Sequence, residues 1–133
     1  MLVEDIFPRV REIVADVLMI EEDEIILQSR LIADLGAESI DFLDLIFQLE
    51  REYKIKIPRG KLEKDARGDL AEDEFEQNGI ITVKGMESLQ AYLDEVPSQY
   101  FVENLKVAEI PMLFTVETFC KIIINTSVAS KAA

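Results

Sequence analysis

One stretch concentrates the residue types that can do chemistry, Asp34-Leu35-Gly36-Ala37-Glu38-Ser39-Ile40-Asp41. A glycine that permits a turn leads into a helix whose opening residues include a serine. Such a helix start offers backbone N–H groups without intrahelical partners and the positive end of the helix dipole, which suits a phosphate. A hydroxyl placed there can carry a phosphodiester, or it can simply cap the helix. The chain has no histidine, so no imidazole activates Ser39 as a nucleophile, and another enzyme would have to modify it. Taken alone, Ser39 is accounted for as a residue favoured at helix starts, and Asp41 and Asp44 as early-helix acids favoured by the dipole.

The missing histidine also removes Ser-His-Asp and Cys-His catalysis and the commonest metal ligand. Neither a catalytic residue nor a metal site is expected. Glu21-Glu22-Asp23-Glu24 lacks the glycine and alternating ligand spacing of an EF-hand loop and reads as solvated. Glu72 to Glu76 reads as a solvated face for the same want of a pocket. A net charge of −13 on 133 residues disfavours nucleic acid and anionic membrane, and favours proteins that present a basic patch. The 49% hydrophobic content is enough to close one core, so a single domain is expected. No secretory signal and no membrane span are read in the chain. Cys120 has no second cysteine to pair with, and a reducing cytoplasm suits it.

The elements that must position Ser39 follow from apolar spacing. Ile6, Val10, Ile13, Val14, Val17 and Leu18 predict a first helix, with Pro8 tolerable only in its first turn. Residues 25–37 form a long connection that must be pinned through Ile25, Ile26, Leu27, Leu31, Ile32 and Leu35. The helix carrying the serine runs from about Glu38 to Tyr53. Its apolar residues cover more than one face, which predicts a contact surface or a cavity wall besides a buried stripe. Lys54–Ile57 reads as a short extended piece stopped by Pro58. Beyond it, the spacing predicts a short helix from roughly Asp69 to Gln77 ended by Asn78-Gly79. Another is expected over about Val83 to Val96, weakened by Gly85, and one short helix within 98–110. Thr115 caps a closing helix carrying Val116, Phe119, Ile122 and Ile123, and the chain frays from Thr126. Charge is uneven: residues 1–58 hold 6 basic and 14 acidic side chains, whereas 105–133 hold 3 and 2. The nearly neutral C-terminal stretch is therefore expected to pack against the rest. The expected fold class is all-α, a helical bundle with additional helices in the C-terminal half.

The segment Leu31-Ile32-Ala33-Asp34-Leu35-Gly36-Ala37-Glu38-Ser39-Ile40-Asp41-Phe42-Leu43-Asp44-Leu45, continued without a gap through Gln48–Tyr53 to Ile57-Pro58, resembles the modification site of acyl carrier proteins. With the first helix and its acidic loop, the resemblance covers the first 58 residues. It implies that Ser39 receives 4′-phosphopantetheine from coenzyme A, transferred by a phosphopantetheinyl transferase (holo-acyl carrier protein synthase) using Mg²⁺. The arm's thiol then carries the acyl group as a thioester, the cofactor supplying the chemistry and the protein delivery and shielding. By the same resemblance Asp41, Asp44 and Glu50, with Glu38, Ile40 and Leu43, form the face that partner enzymes read through basic docking patches. Those partners are acyltransferases and enzymes of fatty acid or lipid biosynthesis, and a monomer is usual.

This sequence departs from the family pattern at several points. Glu38 stands where aspartate usually precedes the serine, Arg51 where an acid is common, and Phe42 and Phe47 are bulkier than the usual occupants. The second half departs more. Residues 1–58 match a typical carrier half, 59–110 form an insertion with extra helices, 111–128 supply the closing helix and 129–133 a tail. The enlarged C-terminal half and the run Asp41–Phe47 look like specialised bacterial carriers for lipid A (lipopolysaccharide) and related long acyl chains. Phe42, Ile46, Phe47, Met112, Phe114 and Phe119 are the candidates to line or gate an acyl-chain pocket, ordinary core packing being the competing account. The competing function is an acidic helical adaptor that keeps the fold without a prosthetic group.

Overall fold

Ile6, Val10, Ile13 and Val14 are buried on one side of the first helix, α1 (Val3–Leu18), as their spacing requires. The computed structural model describes residues 2–57 and 61–132. After α1 come a 3-10 turn at Glu22–Glu24, α2 (Ser39–Tyr53), α3 (Lys61–Arg67), α4 (Glu72–Phe75), β1 (Glu76–Gln77), β2 (Ile80–Ile81) and α5 (Val83–Tyr92). A 3-10 turn at Ser98–Tyr100, a 3-10 helix at Val107–Leu113 and α6 (Val116–Ala132) complete the chain. Among the described residues the architecture is all-α apart from one short antiparallel hairpin. It divides into two compact units, Met1–Ile57 with Phe114–Ala133, and Pro58–Leu113.

In the first unit α1, α2 and α6 pack against one another around Val10, Leu31, Leu49, Val116, Phe119 and Ile123. Arg9 ties α1 to α2, its guanidinium reaching Glu12 and Glu52, each at 2.8 Å. The long connection is fixed by backbone bonds to the start of α6. Leu31 N–H donates to the Phe114 carbonyl at 3.1 Å, Val116 N–H to Ser29 at 3.0 Å and Glu117 N–H to Leu27 at 3.0 Å. Ile25 and Leu31 are the buried anchors, while Ile26 is 56% exposed. Thr115 and Thr118 cap α6 reciprocally, each hydroxyl accepting the other's N–H at 3.1 Å. That satisfies two donors at a buried helix end.

Two expectations in this unit are corrected. Pro8 lies beyond the first turn of α1, because the helix already begins at Val3; the ring is exposed, so water can replace the bond it removes. The closing helix begins at Val116 rather than at 111 and continues to Ala132, with no break at 129. Pro58 and Gly60 lie outside the described residues.

The second unit has its own core of Ala66, Phe75, Ile81, Leu89, Leu93, Leu105 and Ile110. Its α3 is absent from the sequence reading. The helix expected over Asp69–Gln77 is only α4, and the rest of that segment enters the hairpin. Asn78 (φ 55°) and Gly79 (φ 80°) close a two-residue turn of the kind Asn-Gly favours rather than stopping a helix. Gly85 is needed rather than tolerated: a Cβ there would sit 2.0 Å from the Phe75 carbonyl oxygen. Helix α5 is capped by Thr82, whose hydroxyl accepts the Gly85 N–H at 2.9 Å, and it ends at Tyr92 instead of Val96. In place of one helix within 98–110 there are the two 3-10 segments. No described helix is long and apolar enough to cross a membrane.

Candidate functional site

Ser39 is the first residue of α2 and is exposed. Its hydroxyl has no hydrogen-bond partner among the described residues, so it is not spent as a cap. The turn before it is built from its own side chains. The Asp34 carboxylate accepts the Arg30 backbone N–H at 2.8 Å and meets the Arg30 guanidinium at 3.2 Å. These bonds, the backbone one foremost, hold the Asp34 carboxyl below the usual aspartate range. Gly36 then turns the chain with φ 76°, a left-handed conformation that costs a Cβ-bearing residue more, and Ala37 N–H returns to the Leu31 carbonyl at 2.9 Å.

The acids around the serine divide into two kinds. Asp41 is half-buried and accepts the Glu38 N–H at 2.8 Å, the backward half of a capping box. Glu50 is half-buried and accepts the Ile57 N–H at 2.7 Å. Glu38 and Asp44 are exposed, Asp44 taking only a bond from the Gln48 amide at 3.2 Å. Thus Asp41 and Glu50 shape the site, whereas Glu38 and Asp44 present charge to solvent. Nothing in the local sequence announces the Glu50 contact, which spans seven residues.

Ile40, Leu43 and Phe47 are 70%, 40% and 56% exposed and recur at steps of three and four, so they form one apolar stripe on α2. This is the surplus apolar face that the spacing predicts. On the inner side Phe42 meets Phe119 at 5.8 Å and Phe114 at 6.4 Å between ring centroids, and Phe114 and Phe119 stand edge to face at 6.1 Å. Ile46 is half-buried. Of the other residues expected in an acyl-chain pocket, Phe47 belongs to the outer stripe, because the steps from Ile40 carry it to the solvent side, and Met112 is 45% exposed and belongs to the second unit.

A phosphodiester on Ser39 Oγ fits these residues. The hydroxyl is open and uncommitted, the first-turn N–H groups and the helix dipole favour an anion, and no described residue other than Gly36 and its chain neighbours comes within 4 Å of the vacant Cβ position at Gly36. When bound, phosphopantetheine supplies the thiol that holds an acyl group; this chain's own residues leave the Ser39 hydroxyl exposed and hold the helix start.

Comparison with known proteins agrees with this geometry. A family model described as a phosphopantetheine attachment site matches residues 8–72. The chain is 45% identical over 62 residues to the acyl carrier protein of Clostridium perfringens, a match covering 47% of this chain and 76% of that one. It is 38% identical over 61 residues to the acyl carrier protein of Thermotoga maritima, covering 46% and 75%. For the acyl carrier protein of Clostridium acetobutylicum the figures are 44% over 59 residues, covering 44% and 77%. An uncommitted serine opening a helix inside the segment that the family model matches, in a chain that shares this much sequence with three carriers, leaves one conclusion: the chain belongs to the acyl carrier protein family, whose members carry covalently attached 4′-phosphopantetheine and serve biosynthetic enzymes rather than catalysing.

Proposed function

We propose that Ser39 is the attachment residue and that the loaded arm is presented to enzymes of fatty acid or lipid biosynthesis in the cytoplasm. The observation that carries this reading is the exposed Ser39 hydroxyl, without a partner among the described residues, at the start of a 15-residue helix. Glu38, Ile40, Asp44 and Leu43 supply the docking face beside it, with Asp41 and Glu50 holding that face in shape. We assign residues 59–110 as an insertion into a carrier domain, with the monomer as the working form. The test is intact-mass spectrometry after incubation with coenzyme A, Mg²⁺ and a broad-specificity phosphopantetheinyl transferase. One phosphopantetheine adduct on the wild type, absent from Ser39→Ala, supports the assignment. An adduct that persists in Ser39→Ala refutes it.

The chain carried is proposed to be long, of the kind used in lipid A and related lipids. Phe42, Ile46, Phe114 and Phe119 are the residues that part to admit it, since three aromatic rings in tilted and edge-to-face contact can separate with little loss of polar bonding. Loading acyl groups of increasing length onto the holo-protein should raise the melting temperature progressively. A melting temperature independent of chain length means that the rings are ordinary core.

A further inference from the structure

Residues 1–58 contain six cationic side chains, and their fates differ. Arg9 is paired with Glu12 and Glu52, Arg11 with Glu22 at 3.6 Å, and Arg30 with Asp34. Arg51, Lys54 and Lys56 are exposed and have no ion pair or hydrogen bond from their side chains among the described residues. They line one groove together with Phe47, Glu50 and Ile55. Glu50, the one carboxylate among the described residues that line it, accepts the Ile57 N–H. A chain of net charge −13 therefore carries a locally basic spot, three cations to one carboxylate among the described lining residues, beside a phenylalanine that is 56% exposed.

Helix electrostatics accounts for part of this. Cations in a last turn offset the negative end of the dipole, which covers Arg51 and Lys54. It does not cover Lys56, which lies past the helix, or an aromatic ring left in water. Ile40, Leu43, Phe47, Arg51 and Lys54 continue one stripe at steps of three and four. That stripe begins beside Glu38 and Asp44 and ends among three cations. At ~1.5 Å per residue, its basic end lies about 22 Å along the axis from Ser39.

We propose that the groove at the C-terminal end of α2 docks an acidic segment of a partner protein, with an apolar side chain of that segment seated against Phe47 and Ile55. The partner then reads α2 in two halves of opposite charge, basic groups near Ser39 and acidic groups at the far end. Such a footprint fixes the direction in which the helix lies on the enzyme, because the reversed placement sets like charges together. A peptide segment is favoured over an anionic membrane, since a charged surface would meet the net negative charge of the whole chain whereas a segment meets only the groove. The acidic half of the footprint rests on the proposed carrier function; the basic half does not.

The test is a backbone-amide NMR titration of the full chain, without the arm, using the synthetic peptide Asp-Glu-Phe-Glu-Asp with blocked ends at low salt. Saturable shifts centred on Phe47, Arg51, Ile55 and Lys56 are expected. Affinity should fall roughly tenfold or more in the variant Arg51→Glu, Lys54→Glu, Lys56→Glu, and roughly threefold when the peptide's Phe is replaced by Ser. If that variant loses its folded spectrum, Arg51→Gln with Lys56→Gln removes charge without reversing it and should also weaken binding. Unsaturating shifts spread over all lysines and arginines overturn the proposal, as does peptide binding unchanged by both variants. Binding to phosphatidylglycerol vesicles without peptide binding overturns it in favour of a membrane. The titration needs neither Ser39 modification nor a transferase, so it fails or succeeds independently of the mass-spectrometric assay.

Discussion

The Glu50 carboxylate accepts the backbone N–H of Ile57 at 2.7 Å, across the turn that ends α2. Ile55 N–H donates to the Glu50 carbonyl at 3.1 Å, so one residue holds the chain's exit from the helix through both its backbone and its side chain. Ile55 and Ile57 are buried as a result. Glu50 is thus a structural residue within the stretch that a partner would touch.

Glu50→Ala should therefore lower stability by about 1.5–3 kcal/mol, the range for a part-buried bond to a charged acceptor. Glu50→Gln keeps an acceptor oxygen and should lose less than half of that. Urea denaturation of the two variants checks the order. Equal losses would show that charge, not the bond, is what matters at this position.

Gly85→Ala should destabilise the second unit by about 3 kcal/mol or more, because the added methyl meets a backbone carbonyl rather than a yielding side chain. Hydrogen exchange is the appropriate measurement. Amides of α4, the hairpin and α5 should lose protection, whereas those of α1 keep theirs. Wild-type protection throughout would mean that α5 moves away from Phe75 at little cost.

These two residues show what the sequence can and cannot disclose. The stripe of Ile40, Leu43 and Phe47 was legible because helical period alone puts the three on one face. The reciprocal cap of Thr115 and Thr118 was half legible, since a threonine before an apolar run signals a helix start. The need for Gly85 was not, because glycine in a helix reads locally as a weakness and its use depends on the distant carbonyl of Phe75. The Asn78-Gly79 hairpin was missed for another reason: its strands are two residues each, too short to show alternation. Ser39 stands out through its neighbours, but whether its hydroxyl is spent on capping depends on how the helix start folds, which local sequence does not determine.

The pH dependence should be asymmetric. Asp34 and Glu52 are held below their ordinary values, Asp34 by its bonds to Arg30 and Glu52 by the Arg9 guanidinium. A carboxyl depressed in the fold contributes stability above its unfolded value and loses it as pH falls, so a decline is expected below about pH 4. Cys120 and Tyr53 act at the other end. Burial pushes the Cys120 thiol up to about 12 and raises the Tyr53 phenol. An acid raised in the fold contributes below its unfolded value, so stability should decline as pH rises above about 9. Melting temperature measured across this range checks both limbs, and Cys120→Ala should soften the alkaline one alone. An alkaline limb unchanged in that variant would assign the decline to other groups.

Glu38→Asp joins stability to modification. The residue before α2 has an extended backbone, φ −104° and ψ 171°, but its side chain makes no capping bond. One methylene shorter, aspartate at that position can turn back to accept an N–H of the first turn, and such caps are worth ~0.5–2 kcal/mol. The melting temperature should rise by roughly 2–5 °C. The same bond would occupy a first-turn N–H and move negative charge toward Ser39. The rate of phosphopantetheine transfer, followed by intact mass, should therefore change together with stability. A faster transfer with the melting temperature raised would show that the transferase favours the capped helix start. A raised melting temperature with an unchanged rate would separate the two, leaving Glu38 as a residue that charges the docking face without tuning attachment. An unchanged melting temperature would show that aspartate does not reach the first turn, and the capping argument for this position would fall.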